Sequence, residues 1–280
     1  MLDRMRRRHL CTTKLEILEG CSACPTRLCD ITKKKGILHS HRDEATNYRY
    51  YDVMDVYRLG IICNVRNMGM SLNDSIAFHK GASQKEILSL CEKRHRELQR
   101  EIKLRQLIDG RLEESLAQVQ RFHREGLSFA VCESPSFLRF EAGEGKMPIM
   151  EKETRAQGLS WMQNLFLVEP CTMLYRQEDG SWQNTKGLLT TREIHDLLGL
   201  EDSDCVKEIP RMKAVNFVID TKGGGNRWDD GLREKLEGFM AEQSLCYSGD
   251  PFYRSILYYY DDQGIFNNYL EYFVPVRSLK

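Results

Sequence analysis

A glutamate interrupts an otherwise apolar strand pattern near the C-terminus, Tyr269-Leu270-Glu271-Tyr272-Phe273-Val274-Pro275-Val276. Alternation with period two puts Tyr269, Glu271 and Phe273 on one face, with Leu270, Tyr272 and Val274 on the other. A carboxylate in such company is costly to bury unless a cation or hydrogen-bond donors meet it. Tyr258-Tyr259-Tyr260 and Trp161, Trp182 and Trp228 supply flat surfaces, and aromatic rings around a carboxylate form a receptor for lipophilic cations. The candidate ligand-binding set is therefore Glu271, Tyr269, Phe273, Tyr258, Tyr260 and Trp161. Plainer readings stand beside it. Three consecutive tyrosines in a strand cannot all face one cavity, each tryptophan can be ordinary core, and Glu271 can be satisfied internally by a tyrosine hydroxyl or by Arg254.

A second pattern fits phosphate. Asn47-Tyr48-Arg49-Tyr50-Tyr51-Asp52 gathers hydroxyl donors around a guanidinium in a short hairpin, a combination that grips phosphate oxygens; the alternative is an aromatic hairpin packed on its own core. An apolar run at helical spacing follows, Val53, Val56, Leu59/Gly60 and Cys63, with Arg58, Asn64, Arg66 and Asn67 on the opposite face. Met68-Gly69 reads as a glycine C-cap, and Ser71-Leu72-Asn73-Asp74 as a capping-box restart. Other chemistry finds no support. Gly223-Gly224-Gly225 lacks the Lys-Ser/Thr of a phosphate-cradling loop, and the seven histidines are dispersed. No catalytic residue, metal site or cofactor is expected.

The chain has 280 residues and no net charge, but the charges are segregated. Residues 1–82 carry 14 basic against 9 acidic side chains, residues 83–125 carry 10 against 8, and residues 126–280 carry 17 against 24. The basic head is the part suited to phosphates. No apolar run approaches the roughly 18 residues of a spanning helix, and the early arginines lead into no signal core, so a cytoplasmic protein with no membrane partner is expected. Those arginines read as an extra arm, as a loose tail, or as lying before a true start at Met5. Of ten cysteines, Cys21, Cys24 and Cys29 are the tightest group; without a fourth ligand at suitable spacing they read as reduced core residues rather than a zinc site.

These candidates need elements to hold them. A helix pair is expected over Thr12 to Lys35 with Gly36 as its stop. A long helix should start at the capping box Ser83-Gln84-Lys85-Glu86, with apolar positions at Ile87, Cys91, Leu98 and Ile102 and then Ile108, Leu112, Leu116 and Val119. Between the two series, near Leu104 to Gly110, the seam is discontinuous. So polar a helix must pack on something to be stable. Beyond Gly126, strands are expected at 127–132, 137–140, 171–176, 214–219, 255–260 and 269–276, and helices at 148–166 and 228–241. Strand, helix, strand, strand occurring twice suggests an internal repeat divided near Cys205 to Pro210.

The head resembles the DNA-binding domain of the MerR family. Leu15, Leu18, Cys24 and Cys29 fall without gaps on its apolar helix-turn-helix positions, Gly36-Ile37-Leu38 on its Gly-Leu-Leu, and Tyr48-Arg49-Tyr50-Tyr51 on its wing. The recognition helix departs from the family: Leu28-Cys29-Asp30-Ile31-Thr32-Lys33 stands where Thr-Leu-Arg-Tyr-Tyr-Asp is usual, so Asp30 replaces an arginine. The residues left to meet DNA are Thr26, Arg27, Lys33, Lys34, Tyr48, Arg49 and Tyr50. The last seventy residues resemble a GyrI-like effector-binding domain, through Glu208-Ile209-Pro210, Thr221-Lys222-Gly223-Gly224-Gly225, Ser248-Gly249-Asp250-Pro251 and the final strand. Residues 127–207 match only in outline.

The resemblance implies an α+β protein in three parts: a winged helix-turn-helix over 1–82, an antiparallel coiled-coil dimerisation helix over 83–122, and a GyrI-like domain of duplicated β-α-β-β units over 126–280. It further implies a homodimer on double-stranded promoter DNA that answers a small-molecule effector through Glu271 and acts with RNA polymerase. The alternative is a GyrI-like hydrolase or drug-binding protein whose head no longer recognises an operator.

Overall fold

A computed structural model describes residues 13–14, 31–32, 34–39, 41–42, 49–79, 81–141, 152–223 and 228–279. The chain divides into two compact units, Met1–Glu101 and Ile102–Lys280.

In the first unit, β1 (Thr13–Lys14), β2 (His41–Arg42) and β3 (Arg49–Tyr51) form an antiparallel sheet in the order β1-β3-β2. Thr13–Lys14 is thus a strand where the sequence suggests that a helix has begun; its pairing with Tyr50 and Tyr51 covers one edge of β3. Most of the expected helix pair lies outside the described residues. At its end Gly36 is left-handed (φ +71°) and the Ile37 amide reaches the Thr32 carbonyl at 3.0 Å, as a helix stop requires.

Helix α1 (Val53–Asn67) begins at Asp52, whose carboxylate accepts from the Asp55 amide at 2.7 Å. Its buried face is Asp55, Leu59, Ile62 and Val65; of the positions that the spacing suggested, Val53, Val56, Leu59/Gly60 and Cys63, only Leu59 lies on it. Val56 and Cys63 pack half-buried at the flank; Val53 and Gly60 are exposed. An unexpected acid turns the helix. Asp55 is drawn inward by the His39 amide at 3.1 Å and by Arg58 Nη1 at 2.9 Å, which brings Leu59 onto Leu38 and Tyr51. The helix ends in a Schellman turn, with the Met70 amide on the Val65 carbonyl and the Gly69 amide on the Arg66 carbonyl. Capping boxes at Ser71/Asp74 and Ser83/Glu86 then start α2 (Leu72–His79) and α3 (Gln84–Glu125).

The second unit contains α3 from Ile102 onward and the elements β4 (Ala130–Glu133), β5 (Phe137–Glu141), α4 (Lys152–Met162), β6 (Glu169–Arg176), β7 (Trp182–Thr190), α5 (Arg192–Leu198), β8 (Val206–Ile209), β9 (Lys213–Asp220), α6 (Asp230–Glu242), β10 (Leu245–Tyr247), β11 (Phe252–Tyr260) and β12 (Phe266–Ser278). The strands form one sheet in the order β4-β9-β12-β11-β6-β7-β5-β8, with β10 attached to β12. The units β5-α4-β6-β7 and β9-α6-β11-β12 repeat one pattern, and their strands appear in the sheet as β9-β12-β11 followed by β6-β7-β5. That is the order produced by a two-fold axis between the antiparallel neighbours β11 and β6. On one face Leu232, Leu236 and Met240 of α6 pack on Leu270, Tyr272, Val274 and Val276, beside stacked rings of Phe217, Tyr272 and Trp228. The other face receives α3, through Val119 against Ile256 and Tyr269.

Two predictions concern the first unit. Gly69 has φ +81°, and a Cβ there would collide with the guanidinium of Arg94, whose Nε donates to the Met68 carbonyl at 2.8 Å. Gly69→Ala should lower the unfolding free energy in urea by more than about 1 kcal/mol; an unchanged midpoint would show that the turn relaxes freely. Asp74 and Glu86 are both held below their ordinary values, foremost by the hydroxyls of Ser71 and Ser83. Carboxyls depressed in the folded state contribute stability above their unfolded values and lose it as pH falls through the folded ones. Amide protection, taken relative to the intrinsic exchange rate, should therefore fall in the first turns of α2 and α3 below about pH 4, ahead of the core amides.

Candidate functional site

Arg254 on β11 stands directly across from Glu271 on β12, and both side chains are buried. Its Nε donates to Glu271 at 2.7 Å, its Nη1 to Glu169 on β6 at 2.9 Å and its Nη2 to Glu114 on α3 at 3.2 Å. Arg111, one helical turn before Glu114, donates to Glu114 and to the other oxygen of Glu169. Arg254, Glu169, Arg111 and Glu114 thus close a ring of alternating charge. Glu271 hangs from it, its second oxygen taking Gln118 Nε2 at 2.6 Å and Asn216 Nδ2 at 3.0 Å. Three carboxylates face two guanidiniums, leaving one negative charge over.

Burial opposes the charge on Arg254, but Glu271, Glu169 and Glu114 outweigh it and raise the guanidinium further above its ordinary value. For Glu169 burial prevails and lifts the carboxyl above its usual range, against the pull of Arg254 and Arg111. A β-bulge between Ser255 and Leu257 follows Arg254 immediately. Such bulges re-aim a strand and gather beside functional sites.

The helix supplies this network from one stripe. Arg111, Glu114 and Gln118 lie three and four residues apart, with Ser115 and Val119 buried alongside. The apolar seam read from the sequence is split: Val119 meets the sheet, while Leu112 and Leu116 are exposed. A polar stripe turns to the sheet, with Arg111 and Ser115 buried and Glu114 at its exposed edge, because only it can meet the charges on the strands.

A cavity of about 280 Å³ adjoins the ring. Arg111, Glu114, Glu169, Glu193 and Arg254 form its charged wall, and Leu107, Phe137, Leu167 and Ile194 are among its apolar lining. Gly110 borders it too, and nothing lies within 4 Å of where a Cβ would project. Glu169 also lines a second cavity of about 210 Å³, with Leu165, Phe166 and Tyr258. Phe166 has φ +95°, a left-handed conformation uncommon for an aromatic residue.

The candidate ligand set is dispersed. Tyr269, Glu271 and Phe273 share a sheet face as the alternation suggests. Glu271, however, meets Arg254, the internal partner that the sequence leaves open, and borders neither cavity. Tyr269 packs against Phe122 of α3, bonds His123 Nε2 at 2.8 Å and is pushed up to about 12, chiefly by burial. Phe273 stacks on Phe252 beneath Arg254. Tyr258 borders the smaller cavity, Tyr260 is exposed, and Trp161 is wholly buried against Phe140 and His195. Sequence reasoning passes over Glu169, Glu114 and Arg111. The signal for Glu169 is its same-face spacing two residues before Cys171, at a strand start read two residues too late.

In the first unit, Arg49 and Tyr50 lie on β3, and Lys34 is exposed beside the Gly36 stop. Thr26, Arg27, Lys33 and Tyr48 lie outside the described residues, as do Asp30 and the Cys21, Cys24 and Cys29 group. Among the described residues no helix is long and apolar enough to cross a membrane.

Residues 33–77 match the family described as MerR HTH family regulatory protein, and the chain carries a MerR helix-turn-helix domain there. No curated protein matches the chain. Solved structures similar to it include the following three. The EcmrR–DNA complex in EcmrR-RPo, seen by cryo-EM, is 13% identical over 95% of this chain and 100% of its own, with a TM-score of 0.34. The EcmrR C-terminal domain is 14% identical over 55% of this chain and 99% of its own, with a TM-score of 0.33. SAV2435 bound to tetraphenylphosphonium is 14% identical over 54% of this chain and 94% of its own, with a TM-score of 0.30.

Arg254→Met would leave Glu169 and Glu271 buried without their shared cation, and unfolding in urea should show a loss of about 3–5 kcal/mol. Glu271→Gln keeps an acceptor for Arg254 and should cost clearly less. Equal losses from the two would refute the ranking.

Proposed function

We propose that this chain is a ligand-responsive transcription regulator of the MerR type, binding double-stranded promoter DNA as a homodimer and acting on RNA polymerase. The observation that carries the reading is the MerR match at residues 33–77, followed by a helix of 42 residues whose later turns wall a partly apolar, partly charged cavity. Residues 1–82 form the winged helix-turn-helix, 83–122 the dimerisation helix and 126–280 a GyrI-like effector domain. Thr26, Arg27, Lys33, Lys34, Tyr48, Arg49 and Tyr50 meet the DNA, largely through phosphates.

The exposed apolar residues Leu88, Ile102, Leu112 and Leu116 on α3 support the dimer, since a helix of this length needs an apolar partner. The effector is a small lipophilic cation. The carboxylates Glu114, Glu169 and Glu193 in the wall of a cavity that also presents Leu107, Phe137, Leu167 and Ile194 support that class. Binding there shifts the helix, and with it the DNA geometry that the dimer imposes.

Fluorescence anisotropy against the chain's own upstream DNA and a scrambled duplex, at two salt concentrations, tests the reading. Preferential, salt-sensitive binding to the upstream DNA is expected, and equal or absent binding would count against it. Arg49→Ala should weaken binding to all sequences alike and reduce the salt slope by about one; a loss confined to one base position would contradict a phosphate contact. Leu112→Glu with Leu116→Glu should convert dimer to monomer in sedimentation. An intact dimer would place the interface elsewhere.

A further inference from the structure

We propose that Arg111 is an exchangeable internal cation: a cationic ligand entering the cavity of about 280 Å³ takes its place against Glu169 and Glu114, and the exchange undoes the tie between α3 and β6. This rests on the cation-sensing reading above and adds how the site is regulated.

The two arginines of the ring are not equivalent. Arg254 sits on a central strand and divides its three nitrogens among three carboxylates. Arg111 reaches in from the helix, bonds only Glu114 and Glu169 among the described residues, and stands in the cavity wall. Replacing Arg254 would strand two buried carboxylates, whereas replacing Arg111 by another cation leaves each carboxylate paired. The space beside it suits such a replacement. Phe137, Leu167 and Ile194 offer apolar surface to the body of a ligand, and Gly110 leaves room at the helix. A ligand that brings more apolar surface into the cavity than the Arg111 stem, with charge against the same carboxylates, can outdo that side chain.

The exchange carries its own coupling, because the ligand binds only where Arg111 has left. Its differential affinity for the two states is therefore built in. One helical turn further on, Gln118 still holds Glu271 and Val119 still packs on Ile256 and Tyr269. Release at Arg111 thus loosens the turn around it, between Lys103, paired with Glu193 at 3.0 Å, and the later turns that stay anchored.

The test is calorimetry on the full chain with benzyltrimethylammonium and its neutral isostere neopentylbenzene. Arg111→Gln keeps a donor for Glu169 but removes the competing charge. It should tighten the cation by about tenfold and leave the isostere unchanged, and Glu169→Gln should abolish the preference for the cation. Binding by Arg111→Gln alone would also support the exchange. Unchanged or weaker cation binding by Arg111→Gln, with the wild type binding, would overturn the exchange and spare cation sensing; no cation binding by either would overturn both. Hydrogen exchange on the wild type decides the matter even if the variant does not fold. The cation should quicken amide exchange at residues 108–114 and leave 118–122 unchanged, and added protection throughout would overturn the proposal.

Discussion

The second unit is organised around a buried guanidinium, that of Arg254. Buried ions each cost several kcal/mol to desolvate, so Arg254 is tolerable only where three carboxylates reach it, from β12, β6 and α3. That requirement constrains the register of β11 against both neighbours and the rotation of the helix. A slip of one residue in β12 would turn Glu271 to the opposite face and put an apolar side chain against the charge. Apolar burial on the other face of the sheet, under α6, carries the stability that lets the ionic face exist.

Helix α3 reverses the usual arrangement of a surface helix. Its polar stripe of Arg111, Glu114, Ser115 and Gln118 faces the sheet while Leu112 and Leu116 face outward. Both follow from one cause. Charges on the strands demand charges from the helix, and the apolar seam is left for another partner. The contact with the sheet is therefore made of exchangeable ionic groups at one end and of packed Val119, Ile256 and Tyr269 at the other.

Local signals in the sequence translate well into structure. The boxes at Ser71/Asp74 and Ser83/Glu86, the left-handed glycines 36 and 69, the alternation of β12 and the duplicated β-α-β-β order can each be read from residue types at fixed offsets. What is not legible depends on tertiary choice. Trp182–Thr190 runs Trp-Gln-Asn-Thr-Lys-Gly-Leu-Leu-Thr, with no apolar alternation to mark it as β7. Helix α5 is under two turns long, and only Thr191 before it and the left-handed Gly199 after it betray its ends. Asp55 and Arg111 look like surface charges and are buried, which rotates the faces of α1 and α3 away from those that the apolar spacing suggests. For the site, Glu271 can be singled out as a buried acid in need of a cation, yet its partner proves to be Arg254, and Glu114, Glu169 and Glu193 are the acids at the cavity.

Ionic coupling across the ring holds this part of the helix to the sheet. A double-mutant cycle in urea unfolding, with Arg111→Gln, Glu169→Gln and the pair, measures it directly. A coupling of about 1.5 kcal/mol or more is expected for charges in this contact. Additive losses would mean that the two side chains merely occupy neighbouring space, and that the helix is held by packing alone.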